Sequence, residues 1–123
     1  MPINLAIVPP DAELFNDKAE AVATELSQAG GNMNKTSQIR RFYDELVGWQ
    51  ERVNGDDEKF KQYEAFIKML NAKVAYAKGR KLVDERFESW FRDCVKSTTN
   101  AKALDHFRLH FEAVLGFLKA LRG

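Results

Sequence analysis

The sequence predicts an all-α fold, a compact bundle of about five helices in a single domain. Three observations carry this. All three prolines lie in the first ten residues (Pro2, Pro9, Pro10), so long helices are permitted everywhere after them. Apolar residues recur at helical spacing along most of the chain. No sustained period-2 alternation occurs, and no Asn-Gly turn is flanked by β-branched runs. At 123 residues and 45% hydrophobic content, nine of the aromatics being Phe, the chain can bury one real core. Residues 1–10 read as an N-terminal extension and 11–123 as the domain.

The first helix is expected from about Asp11, a good N-cap, to about Ala29, where Gly30-Gly31 ends it. Leu14, Phe15, Ala19, Val22 and Leu26 form its apolar stripe. The second begins after Thr36 or Ser37 and runs to about Val53, with Ile39, Phe42, Tyr43, Leu46, Trp49 and Val53 on its stripe. Asn54-Gly55 stops it, and Asp56-Asp57 opens the third helix with acid at the favourable end.

The third helix spans about 57–79. Phe60, Tyr63, Ile67, Leu70, Val74 and Ala77 make one stripe, and Phe66, Met69 and Tyr76 a second. Two stripes predict a central helix packed on two sides. A fourth follows at about 82–97 with Val83, Phe87, Trp90, Phe91 and Cys94. After the Ser97–Asn100 turn a fifth runs to about Leu121, with Leu104, Phe107, Phe111, Val114, Leu118 and Leu121 at heptad-like spacing.

The formal charge is only +1, which argues against a protein that coats nucleic acid by bulk charge. Its distribution is uneven. Residues 1–33 carry one lysine against five acids, a net of −4, whereas 68–81 carry Lys68, Lys73, Lys78, Arg80 and Lys81 with no acid. A second basic focus, Lys35, Arg40 and Arg41, opens the second helix. In an antiparallel pair the two foci can converge, and the helix N-terminus adds donors suited to a phosphate. The alternative is a solvated face in which Arg40/Asp44 and Arg41/Glu45 form ordinary i,i+4 pairs.

Catalytic patterns are missing. The sequence has no phosphate-binding glycine loop and no Gly-x-Ser-x-Gly elbow. The single cysteine, Cys94, lies on an apolar stripe and reads as a packed thiol. His106 and His110, four apart, offer half a metal site at most, and a partly buried polar seam is the preferred reading. Trp49 and Trp90 read as core. No cofactor is expected. The N-terminus lacks a signal-peptide pattern and no stretch is long enough to span a bilayer, so the expected compartment is the cytoplasm, with no membrane partner.

Three segments carry a resemblance. Thr36-Ser37-Gln38-Ile39-Arg40-Arg41-Phe42-Tyr43 resembles the Thr-Ser-x-(Ile/Leu)-Arg segment of the small subunit of type III-A CRISPR effector complexes, the Csm complex. Val74-Ala75-Tyr76-Ala77-Lys78-Gly79-Arg80 is similar to that family's Tyr-x-x-Gly-Arg segment. Phe107 to Lys119 resembles its C-terminal helix. The resemblance implies a non-catalytic helical bundle, stacked in several copies as an inner filament beside the backbone and large subunits. Such a filament touches the backbone of target RNA paired with the guide RNA. Arg40 and Arg80 are then the expected phosphate contacts, with Gly79 ending its helix in a left-handed conformation and Tyr76 supporting the site by packing. Lys78 stands where the family usually has a small residue. Lys35, Arg41, Lys73, Lys78 and Lys81 join the expected RNA-binding set through charge and spacing. The competing readings are the small subunit of a type III-B complex and a helical adaptor that binds only protein.

Overall fold

The computed structural model describes residues 3–122, and among them only helices, turns and loops occur. Six helical segments follow in order: α1 (Asp17–Ser27), α2 (Thr36–Val53), α3 (Asp57–Lys68), α4 (Leu70–Gly79), α5 (Glu85–Ser97) and α6 (Ala101–Arg122). Only Met69 separates α3 from α4, so the pair occupies the place of the single third helix expected from sequence. The expectation of an all-α bundle of about five helices holds. At Met69 the hydrogen-bond ladder tightens, its carbonyl accepting from the Ala72 N–H three residues on at 2.9 Å. Asn71, of a type that favours caps and turns over helix interiors, follows immediately.

Capping follows the sequence closely. Asp56 accepts from the Glu58 and Lys59 N–H groups at the start of α3, and Asp84 accepts from Phe87 at the start of α5. Asn100 Oδ1 accepts from the Ala103 N–H at 2.8 Å at the start of α6. Asn54 ends α2 in a left-handed conformation (φ 48), with Gly55 (φ 74) beyond it.

The first helix starts six residues later than expected. The Lys18 N–H reaches back to Glu13 O, five residues away, so the chain before Asp17 is a set of wide turns. That leaves the Leu14 carbonyl free to accept from His110 Nδ1 at 2.7 Å. His106 Nδ1 donates in the same way to Leu5 O, and the Leu5 N–H donates to Ser97 Oγ. The two histidines therefore strap the N-terminal segment along α6, with Leu5 and Leu14 buried beneath it. Tertiary hydrogen bonds win over local helix extension here.

The central element is α6, not the third helix. Ten of its residues are buried, and it packs against α1 and α2. Phe42, Phe87, Phe91, Phe107 and Phe111 meet edge-on or tilted around it, with ring centroids 5.5–6.4 Å apart. The second stripe of the third helix is correspondingly not buried. Phe66, Met69 and Tyr76 are 53%, 56% and 68% exposed. Trp49 and Trp90 are both half-buried rather than core; Trp49 is stacked on Phe66 at 5.6 Å with Arg52 above its ring. α3–α4 is thus a flank that packs on α2 and α5 and shows its other side to solvent.

Candidate nucleic-acid interface

The two basic foci are brought together by one asparagine. Asn34, immediately before α2, is fully buried and left-handed (φ 58), a conformation Asn tolerates better than most residues. Its N–H donates to Leu82 O at 3.0 Å, and its Nδ2 donates to Asp84 Oδ1 at 2.8 Å and to Leu26 O at 3.2 Å. Its Oδ1 accepts from the Asp84 N–H at 3.0 Å, and its carbonyl accepts from Arg122 Nη1 at 2.6 Å. Every polar group of this residue is satisfied, which is what makes its burial affordable. The result locks the start of α2 against the loop that follows α4.

Beside this clamp runs a groove between α2 and α4, lined by Gln38, Arg41, Asp44 and Glu45 on one wall and Lys73, Tyr76 and Arg80 on the other. Arg41 and Arg80 face each other from positions 39 residues apart in the chain. Arg40 and Lys35 are exposed on α2 outside the groove, and Lys81 is exposed just past α4. Among the described residues the start of α2 has no side-chain cap and no acid in its first turn, and its third N–H, that of Gln38, is taken by Lys35 O at 3.0 Å. Arg122 reaches this same end, donating to Thr36 Oγ1 at 3.2 Å. Sequence reasoning found neither Asn34 nor Arg122. The only signal for Asn34 was an Asn before a helix start, and Arg122 meets its partners across the whole length of the chain.

The cations are not equivalent. Lys35, Arg40, Arg41, Arg80 and Lys81 have no ion-pair partner among the described residues, whereas Lys73 pairs with Glu45 at 2.7 Å and Lys78 with Glu88 at 3.1 Å. Lys78 is thereby turned toward α5, away from the groove. The Arg40/Asp44 and Arg41/Glu45 pairs do not form; Glu45 is taken by Lys73 across the groove. The free guanidinium groups keep their donors for an outside anion.

Two further expectations change. Gly79 is not left-handed; the residue with positive φ is Lys81 (φ 62). The Leu82 N–H bonds to Ala77 O and the Lys81 N–H to Lys78 O, a Schellman closure with a lysine at the position glycine usually takes. Nor does Tyr76 pack into the core; its ring is exposed and the Arg80 guanidinium sits 5.9 Å from its centroid. Tyr76 holds Arg80 from the solvent side, by cation–π contact.

The remaining chemistry-bearing groups serve the fold. His110 receives the Trp90 Nε1–H on Nε2 at 3.1 Å while Nδ1 donates to Leu14 O, so the neutral ring is held in one tautomer and burial lowers its pKa. Cys94 is fully buried, and burial pushes its thiol well above the usual range. Among the described residues no helix is long and apolar enough to cross a membrane, and no group of three or more acidic, His or Cys side chains is arranged to hold a metal ion.

Compared with known proteins, the chain matches the family model described as Csm2 Type III-A over residues 9–123. No curated protein and no solved structure matches it.

Proposed function

Since the chain belongs to the Csm2 type III-A family, the small subunit of the type III-A Csm complex, we propose that it is a non-catalytic RNA-contacting subunit that stacks in several copies along the guide–target duplex. Its contacts go to the phosphate backbone of the target RNA. The observation that carries this reading is the convergence of Arg41 and Arg80 across one groove, with Arg40, Lys35 and Lys81 beside it and no carboxylate among the described residues claiming any of the five.

Guanidinium groups and uncapped backbone N–H donors bind phosphate without reading bases, which suits an assembly in which guide pairing already supplies sequence. One subunit with a handful of such contacts binds weakly, and a row of them gains through effective concentration. The near-zero net charge fits this, because it keeps a free copy from coating RNA alone. Lys73 and Lys78 contribute less, each already holding a carboxylate. The assembly would work in the cytoplasm, beside the backbone and large subunits.

The test is Arg40→Ala with Arg80→Ala in the assembled complex. Both side chains are exposed, so the circular dichroism spectrum and melting temperature stay as in the unaltered protein. Target-RNA affinity falls, and the slope of log affinity against log salt becomes shallower by about 1.5 units for the two cations lost from each contacting copy. Unchanged affinity and slope would refute the site assignment.

A further inference from the structure

The exposed side of α3–α4 has the pattern of a helix-packing seam without a helix on it. Ala65, Met69, Ala72, Tyr76 and Gly79 are spaced four, three, four and three apart, all uncharged and all exposed. Large and small residues alternate along it, the arrangement that accepts knobs from a facing helix. Phe66, stacked on Trp49, widens the apolar surface on one side. Soluble single-domain proteins seldom leave such a strip uncovered unless something binds there.

Charge points to the occupant. Between residues 65 and 83 there is no acid. Lys73 beside the seam is held by Glu45 at 2.7 Å, whereas Lys68, 60% exposed, is only loosely paired with Glu64 at 3.7 Å and can turn to an outside carboxylate. The same chain carries an exposed helix of opposite sign. On α1, Asp17, Ala21, Thr24 and Gln28 follow the matching four-three-four spacing, flanked by Glu20 and Glu25, and neither Asp17 nor Glu20 has an ion-pair partner among the described residues. α1 packs chiefly on α6 while α3 and α4 pack on α2 and α5, so the two faces look outward from different sides of the bundle. A surface on one side that fits a different surface on another gives a head-to-tail, open-ended contact. RNA fits the seam poorly, since none of its five residues carries a charge to hold a phosphate.

We propose that the α3–α4 seam of one copy receives the acidic outer face of α1 from the next copy, the seam's alanines and Met69 supplying the apolar contact and Lys68 the charge match. This rests on the reading that copies stack, and it names the two surfaces that do so. The seam is about 21 Å long at 1.5 Å per residue, a small contact that holds in a row and weakly in a pair.

The experiment is sedimentation of the full chain over a concentration series, together with native mass spectrometry of the assembled complex to count its copies. Met69→Glu puts an acid in the middle of the seam at a residue that is 56% exposed, and Ala65→Glu repeats the change one turn earlier. Asp17→Lys with Glu20→Lys reverses α1. Each variant is expected to weaken self-association by at least ~10-fold, as like charges face each other, and to lower the copy number. The seam variants keep the melting curve unchanged, and the α1 variant melts slightly lower because Asp17 and Glu20 sit in the first turn of their helix. Mixed one to one, Met69→Glu and Asp17→Lys/Glu20→Lys give a dimer that neither forms alone, because the mixture retains one intact seam and one intact α1. The proposal is overturned if both seam variants assemble as the unaltered chain does, or if the mixture stays monomeric. It is equally overturned if only the seam variants lose copies, which assigns the seam to another subunit, or if they lose RNA affinity at full copy number, which assigns it to RNA. None of these results depends on the Arg40 and Arg80 variants, which test the RNA reading separately.

Discussion

Replacing Asn34 by Ala removes the clamp that holds the start of α2 against the end of α4. Three side-chain hydrogen bonds are lost, to Asp84 Oδ1, Leu26 O and from the Asp84 N–H. At about 0.5–1.5 kcal/mol each, these sum to about 3 kcal/mol in a fully buried site. The left-handed backbone adds about 1 kcal/mol, since Ala resists that conformation. Asp84 keeps its bond from the Phe87 N–H, so the start of α5 survives and the loss stays local. The expected cost is about 3–4 kcal/mol, read as a lower urea midpoint at unchanged m-value and a melting temperature lower by about 10 °C. Asn34→Gly keeps the backbone conformation and loses only the side-chain bonds, so it falls about 1 kcal/mol short of the Ala variant. A loss below 1 kcal/mol for Asn34→Ala would refute the clamp, and equal losses for Ala and Gly would refute the backbone share of the argument.

Lys81→Gly relieves a left-handed lysine and stabilises the protein by about 1 kcal/mol by thermal melting, with the larger backbone freedom of Gly when unfolded subtracting part of the gain. His110 has its pKa lowered in the folded protein, so the unfolded chain binds the extra proton more readily. Stability is therefore full above the ordinary histidine range near 6.5 and declines as pH falls through and below it, and His110→Gln flattens that decline in urea titrations at pH 5 to 7.5. Cys94 reacts with an aromatic disulfide reagent only as fast as the protein opens, so its labelling rate rises with urea and none is seen in the first minutes under native conditions.

Much of the fold was legible because helix signals are local. Asp56 and Asn100 announce their helices by chemistry acting over two or three residues, and Asn54-Gly55 announces a stop in the same way, whereas α5 starts at Glu85 behind an Asp84 cap, later than the start near 82 that the apolar spacing suggests. The core stripes of α2, α5 and α6 read correctly except at the half-buried Trp49 and Trp90 and the exposed Leu121, because burial on one helix face leaves a periodic trace. The late start of α1 was illegible, since it depends on His106 and His110 meeting carbonyls about a hundred residues away. The exposed Phe66–Met69–Tyr76 strip misled for a related reason. An apolar stripe at helical spacing does not by itself say whether the rest of this chain covers it.

The sequence by itself determined an all-helical chain, one packed core and two basic foci flanked by an acidic first segment, because composition and periodicity act within a turn or two. Only the tertiary structure decided which cations remain available. Glu45 meets Lys73 and Glu88 meets Lys78 across helix contacts, leaving Arg40, Arg41 and Arg80 free. Asn34 brings the foci to one edge through bonds to residues 82, 84 and 122. Pairing and convergence are properties of distance in space, and distance between residues far apart in the chain is fixed only when the core closes.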